Sequence, residues 1–221
     1  MMMNLIASAS AVALIMGAPL SLGLKQVQPK PAVTAPAETA APLTAAERSK
    51  LLKQASKALA TVKTARGKFE QYSPDGTLST GQFAMSRPGK VRFDYDDPTP
   101  LLLVSDGTTV ALQDSELETT DRVPLSQTPL SLLLSDKLDF EQQAEVVDVR
   151  RTGDRTNITV RDKSGETDGT LTVILAGSDN ALTGWRTVDA SGGRTSVLLS
   201  GVETGAKLNP RLFILRDFDN R

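Results

Sequence analysis

Residues 81–95 read GQFAMSRPGKVRFDY and contain a clear structural signal. Large apolar side chains alternate with polar or small ones on both sides of the turn sequence Arg87-Pro88-Gly89. Proline presets the backbone φ angle of such a turn, and glycine accepts the positive φ that many turns need. Alternation with a period of two is typical of strands that bury one face. The stretch predicts a β-hairpin whose apolar face carries Phe83, Met85, Val91, Phe93 and Tyr95.

Similar alternation recurs along the chain in short segments separated by turn residues. Phe69 and Gln71 belong to a segment before the hairpin, and Asp106-Gly107 ends a segment after it. Further candidate strands are residues 101–104, 145–150, 156–162, 169–176, 182–189 and 195–202. About ten short strands at hairpin spacing are typical of an antiparallel barrel or a strongly curved sheet. The sequence therefore predicts a mainly β fold with some α-helix.

An amphipathic helix is expected before the first strand. Thr44 and Glu47 have the spacing of a capping box, in which each side chain satisfies a free N–H of the first helical turn. Apolar residues then recur at helical spacing and form one stripe: Leu51, Leu52, Ala55, Ala58, Leu59 and Val62. Such a stripe needs an apolar surface to lie on.

A short leucine-rich helix is expected to interrupt the strands. Thr128 is placed to be its N-cap, and Pro129 occupies the first helical position, which tolerates proline well. Leu130, Leu133 and Leu134 share one face of this helix. Because exposed leucines are unfavourable, the helix should cover a hydrophobic opening in this protein or in a partner.

Several candidate strands are apolar on both faces, for example residues 101–104, 173–175 and 197–199. Helices packed against a half-open barrel would explain part of this pattern. An apolar cavity would explain it too, and so would an interior filled with side chains. If a cavity exists, its aliphatic lining suits flexible aliphatic ligands better than planar ones.

The amino-terminal residues are expected to lie outside the fold. Residues 5–24 are uncharged and predict a signal peptide over residues 1–24, with an uncleaved membrane anchor as the alternative. Residues 25–43 are rich in Pro and Ala and predict an extended linker. The folded domain is then residues 44–221, and it is exported.

The composition excludes several classes of function. The 221 residues include no His and no Cys, which removes disulfides, Cys/His metal sites and His-dependent catalytic triads. The 25 Lys and Arg against 26 Asp and Glu leave no basic surplus for nucleic-acid binding. The acidic residues near the first hairpin are expected to be solvated rather than to bind metal: Glu70, Asp94, Asp96 and Asp97. No catalytic group, metal or cofactor is predicted, and an enzyme is the weakest interpretation.

Four short motifs occur in order along residues 69–134. They are Phe69-x-Gln71, then Gly81-x-Phe83-x-Met85-x-Arg87-Pro88-x-x-x-Arg92-Phe93, then Val104-Ser105-Asp106-Gly107, then Thr128-Pro129 with Leu132-Leu133. In this order they resemble the LolA family of periplasmic lipoprotein carriers, and the flanking elements extend the likeness over residues 44–216. The resemblance implies an unclosed antiparallel β-barrel, a half-barrel, covered by short helices that form a lid.

The resemblance also implies which residues form the site. The acyl-chain cavity is expected to include Phe83, Met85, Val91, Phe93, Tyr95, Leu102 and Val104. The lid is expected to carry Leu130, Leu133 and Leu134. From its position before Pro88 alone, Arg87 would be a solvent-facing turn residue, whereas the resemblance implies that it latches the lid through backbone carbonyls.

The function that the resemblance implies is shielding of lipoprotein acyl chains in the periplasm. A monomeric carrier would receive acylated lipoproteins from an inner-membrane ABC transporter and pass them toward the outer membrane, where a receptor is one candidate acceptor. Two alternatives remain open: an envelope sensor that detects lipoproteins, and a carrier of other envelope lipids.

Overall fold

The computed structural model describes residues 43–163 and 168–215. The predicted signal peptide and the predicted linker, apart from Leu43, lie outside these residues. Within the described ranges, no helix combines the length and the apolar character that crossing a bilayer requires.

The described residues form eleven strands. In chain order they are β1 (Thr64–Tyr72), β2 (Leu78–Ser86), β3 (Lys90–Tyr95), β4 (Leu101–Asp106), β5 (Thr109–Asp114), β6 (Thr119–Pro124), β7 (Ala144–Thr152), β8 (Arg155–Asp162), β9 (Thr170–Ala176), β10 (Ala181–Val188) and β11 (Arg194–Thr204). Strands β5 and β6 were not predicted from the sequence, because their alternation is weaker.

All eleven strands belong to one antiparallel sheet with the order β6-β5-β4-β3-β2-β1-β11-β10-β9-β8-β7. Strands β1–β6 form one meander and β7–β11 form a second, and the pairing of β1 with β11 joins them. The two end strands, β6 and β7, do not pair with each other, so the described sheet is not closed. This confirms the predicted half-barrel.

Helix α1 (Ala45–Thr61) precedes β1, and its predicted capping box is present. The Thr44 hydroxyl accepts a hydrogen bond from the Glu47 N–H, and the Glu47 carboxylate accepts one from the Thr44 N–H at 2.9 Å. The buried residues of the helix are Leu51, Leu52, Ala55 and Leu59. They pack into the same core as the sheet, so the predicted stripe lies on an apolar surface as expected.

Residues 125–143 connect β6 to β7, which lie at opposite edges of the sheet. This connection therefore crosses the sheet, and we call it the lid segment. It contains a 3₁₀ turn (Leu125–Gln127), helix α2 (Leu130–Leu133) and helix α3 (Phe140–Gln143). The prediction that the Thr128 side chain caps α2 was wrong, because its hydroxyl donates backward to the Leu125 carbonyl at 2.9 Å.

The carboxyl-terminal segment packs on the other side of the sheet. A 3₁₀ turn (Pro210–Phe213) contacts β3 and β4, and Asn209 caps it by accepting a hydrogen bond from the Arg211 N–H at 3.0 Å. Phe213 is buried there. Both faces of the sheet at β4 are thus covered, which explains why this strand is apolar on both sides.

Candidate functional site

The register of the first hairpin brings five of the predicted cavity residues onto one face of the sheet. Phe83 pairs with Phe93, Met85 pairs with Val91, and Tyr95 lies opposite Gly81. We call this the inner face, because the lid segment and α1 cover it. Phe83, Val91 and Phe93 are buried, and Met85 and Tyr95 pack against the same core.

The structure places the other two predicted cavity residues on the outer face, opposite to the first five. Leu103 pairs with Phe93, whereas Leu102 pairs with Asp94 and Val104 pairs with Arg92. Because side chains alternate across a strand, Leu103 points inward, and Leu102 and Val104 point outward. The continuous apolar run at residues 101–104 gave no alternation from which to choose the face.

Aromatic rings fill the inner face near the centre of the sheet. The Phe69 ring meets those of Phe93 and Tyr95 edge-on, with centroid distances of 5.1 and 5.0 Å. The ring of Trp185 on β10 lies 6.0 Å from that of Phe93. Trp185 and Phe93 are distant in the sequence and come together only through the β1–β11 pairing, so local sequence patterns could not connect them.

Tyr95 is the one ring of this cluster that carries an ionisable group. Its hydroxyl donates to the Gln71 side-chain oxygen at 2.9 Å, which satisfies the buried phenol. Burial raises the pKa of Tyr95 to about 12, although the hydrogen bond to Gln71 acts in the opposite direction. The phenol is therefore neutral at physiological pH, and this part of the inner face carries no charge.

The half of the inner face that belongs to β8 and β9 is aliphatic. Residues with 5% exposure or less provide it: Ile158, Val160, Leu171, Val173 and Leu175. The sequence predicted these strands but did not predict which of their residues line the site. Buried and less buried residues alternate along both strands. The alternation of large apolar with mostly smaller or polar residues in the sequence is the signal that could have identified them.

The lid segment closes this apolar face with leucines. Leu133 and Leu134 are each 4% exposed, and Leu130 packs against the same core while partly exposed. All three predicted lid residues therefore lie on the inner face. The lid segment also contributes three buried side chains that the sequence analysis missed, Leu125, Leu138 and Phe140.

Arg87 reaches the lid segment from the turn between β2 and β3. Its guanidinium donates two hydrogen bonds to the Leu133 carbonyl, at 3.0 Å from Nε and 2.6 Å from Nη2. Nη1 donates to the carbonyls of Leu59 and Val62 at the end of α1, the latter at 2.8 Å. Arg87 is 8% exposed, so it lies inside the protein rather than in solvent.

The charge of Arg87 is kept in an apolar environment. Burial lowers the pKa of the Arg87 guanidinium, and the negative charge of Asp136 in the lid segment opposes this effect. An arginine side chain stays protonated in proteins despite such a shift. Asp136 itself forms an ion pair with Lys63 at 2.8 Å, which adds an exposed contact between the lid segment and the residues after α1.

A cavity of about 190 Å³ remains beside the lid segment. Its lining includes Leu132 and Pro129 of the lid segment, Val160 on β8, and Thr170 and Leu171 on β9. Pockets that enclose small molecules usually measure about 300–1,000 Å³. With the lid segment in this position, the cavity is smaller than that range. A long aliphatic ligand would have to displace the lid segment.

The acidic residues near the hairpin have other partners. Asp94 forms an ion pair with Arg92 at 2.6 Å, and Asp96 accepts a hydrogen bond from the Thr80 hydroxyl at 2.7 Å. In the part of the chain that the structure describes, no group of three or more acidic, His or Cys side chains is positioned to hold a metal ion.

Comparison with known proteins adds evidence of descent. Residues 60–216 match the family model described as "Outer membrane lipoprotein carrier protein LolA". An outer-membrane lipoprotein carrier protein of Azotobacter vinelandii is 30% identical over 183 residues, which cover 78% of this chain and 86% of the relative. A protein of the same name from Methylibium petroleiphilum is 42% identical over 97 residues, 39% of this chain and 48% of the relative.

Among solved structures, a LolA superfamily protein from Nitrosomonas europaea superposes with a TM-score of 0.43 and 10% sequence identity. The superposition covers 74% of this chain and 97% of the other.

Proposed function

The chain belongs to the LolA family, and from this premise we propose that it carries the acyl chains of lipoproteins on the inner face of its half-barrel. The observation that supports the proposal most is the combination of a continuous apolar face with a leucine-rich segment that is held over it by polar contacts. A segment held in this way can move aside so that another apolar group takes its place on the inner face. The side chains of an ordinary core cannot be replaced in this way.

The energetics favour such an exchange. Burying a leucine side chain is worth about 2 kcal/mol, so exposing the three lid leucines costs about 6 kcal/mol. An acyl chain with about 15 methylene groups gains about 12 kcal/mol when it leaves water, at about 0.8 kcal/mol per group. One acyl chain therefore offsets the exposure of all three lid leucines, even before the apolar surface of the inner face is counted.

The rest of the proposal concerns location and partners. The carrier works in the periplasm as a monomer, takes acylated lipoproteins from an inner-membrane ABC transporter and delivers them to the outer membrane, where a receptor is one possible acceptor. Extraction of an acyl chain from a bilayer costs about the energy that burial on the inner face returns, so the work left for the ATP of the transporter is the opening of the lid segment. The protein itself shields and transfers its cargo without chemical reaction.

The test is to incubate the purified protein with spheroplasts and to analyse the released soluble fraction by gel filtration and native mass spectrometry. We expect a one-to-one complex with an acylated lipoprotein. The variant Leu132→Glu puts a charge on the lid segment beside the cavity and should reduce complex formation. Leu198→Glu is the matched control, because Leu198 is 43% exposed on the outer face.

Other outcomes would point to the alternatives. Recovery of free phospholipid instead of lipoprotein would contradict the proposal and favour a general lipid carrier. A protein that stays empty under conditions in which an established carrier is loaded would contradict it and favour a sensor. Equal loss of loading in Leu132→Glu and Leu198→Glu would contradict the assignment of the inner face.

A further inference from the structure

Two turns of the sheet touch each other beside the lid segment. One is Arg87-Pro88-Gly89 between β2 and β3, and the other is the turn at Gly107 between β4 and β5. Gly89 has a φ of +74°, and a Cβ atom added there would lie 2.6 Å from the Cα atom of Gly107. The contact leaves no space for a side chain, so the position of one turn determines the position of the other.

Ser105 connects these turns by hydrogen bonds. It is fully buried, and its hydroxyl donates to the Gly89 carbonyl at 2.7 Å. The same oxygen accepts a hydrogen bond from the Gly107 N–H at 3.4 Å. Ser105 faces the interior beside Val91, with which it pairs. A serine here therefore fixes the orientation of the Gly89–Lys90 peptide group and, through it, the position of Gly89.

The turn held in this way binds the end of α2. The Gly89 N–H donates to the Leu134 carbonyl at 3.0 Å, and Arg87 donates to the carbonyl of Leu133. The last carbonyls of a helix have no partners within the helix. Arg87 and Gly89 supply these partners from outside, so the turn acts as a cap for the lid helix.

Arg87 and Gly89, which both bind carbonyls at the end of α2, differ in their other hydrogen-bond partners. Arg87 also binds the carbonyls of Leu59 and Val62, so it holds the end of α1 as well as the lid segment. Gly89 is bonded to the lid segment and, through its carbonyl, to Ser105. Loss of the Arg87 side chain should therefore loosen both elements, whereas a change at Ser105 should loosen the lid segment alone.

We propose that Ser105 is a positioning residue that sets how readily the lid segment opens, by orienting Gly89 toward Leu134. The inference rests on the proposed function for its biological meaning, because lid opening is the step that admits cargo. The contacts that carry it do not depend on what the cargo is.

The test is hydrogen–deuterium exchange of the full-length protein, read for the lid segment and for α1 separately. In Ser105→Ala, amide exchange around residues 130–135 should accelerate about five-fold, as expected for the loss of one buried hydrogen bond. Exchange in α1 should stay unchanged. In Arg87→Gln, exchange should accelerate in both elements. Ser79→Ala is the matched control, because Ser79 is also buried in the sheet but accepts its hydrogen bond from Thr99.

A second variant keeps the test valid if Ser105→Ala folds poorly. Ser105→Cys retains a donor of similar size that is weaker, and it should give a smaller acceleration in the lid segment. Unchanged lid exchange in both Ser105 variants would overturn the inference, and so would an equal acceleration in α1.

Uptake of an acylated lipopeptide by the same variants separates the inference from the proposed function. Faster amide exchange in the lid segment together with faster lipopeptide uptake supports both the role of Ser105 and the carrier function. Faster lid exchange in a protein that takes up no lipopeptide supports the role of Ser105 and contradicts the carrier function.

Discussion

Replacing Arg87 by leucine should make the protein retain its cargo. In the closed structure the guanidinium binds the Leu133 carbonyl twice, and this contact exists only while the lid segment covers the inner face. Leucine is apolar and offers no donor, so the closed state loses this contact. In the open, loaded state the side chain at position 87 has no lid carbonyl to bind, and the substitution should cost less there.

The size of the effect follows from the contact that is lost. A hydrogen bond to a charged group contributes about 1.5–3 kcal/mol, and we take about 2 kcal/mol for the shared Leu133 carbonyl. Every 1.4 kcal/mol changes an equilibrium constant about ten-fold, so the ratio of closed to open protein should fall about 30-fold. Because closure competes with cargo, bound acyl chains should be held about 30-fold more tightly.

The assay is transfer of a fluorescent acylated lipopeptide from the protein to acceptor vesicles, followed over time. Arg87→Leu should bind the lipopeptide and release it about 30-fold more slowly than the wild-type protein. Arg92→Leu is the control, because Arg92 also donates to a backbone carbonyl, that of Leu212, but on the outer face. Release at the wild-type rate from Arg87→Leu would refute the latch, as would equal slowing in Arg92→Leu.

Three further predictions concern the faces of the sheet and its core. Leu103→Asp should reduce lipopeptide binding more than Leu102→Asp, as measured by fluorescence titration, and the opposite order would contradict the assigned register. Phe213→Ala should lower the free energy of unfolding in urea by about 3–5 kcal/mol, the usual cost of removing a buried phenyl ring, and a loss below about 1 kcal/mol would show that the carboxyl-terminal segment is not part of the core. In a Tyr72→Phe variant, absorbance titration should place the ionisation of Tyr95 near a pKa of about 12. Because this pKa is raised on folding, the contribution of Tyr95 to stability should be complete below about pH 10 and should be lost as the pH rises from there toward 12. Ionisation of Tyr95 near pH 10 would contradict burial of the phenol.

Local periodicity predicted the parts of the structure that local interactions determine. Alternation around Arg87-Pro88-Gly89 predicted the first hairpin and the shared face of Phe83 and Phe93, because side chains of a strand can reach only two faces. The capping box at Thr44 was predicted for the same reason, since its partners are three residues apart. The half-barrel was predicted from turn spacing together with the family resemblance.

Features that depend on distant parts of the chain could not be predicted in this way. The run at residues 101–104 has no alternation, and it is apolar on both sides because Phe213, more than 100 positions later, covers the outer face. Trp185 meets Phe93 only through the pairing of β1 with β11. Arg87 would be expected in solvent from its own neighbours, and only the family resemblance indicated its buried position.

The proposed function requires that acyl chains bind on the inner face beneath the lid segment. The most direct test is photo-crosslinking with a lipopeptide that carries a diazirine in its acyl chain, followed by peptide mapping. We expect labels on inner-face residues such as Leu103 and Val173 and on the leucines of the lid segment. Labels concentrated on outer-face residues such as Leu198, or no specific label at all, would contradict it.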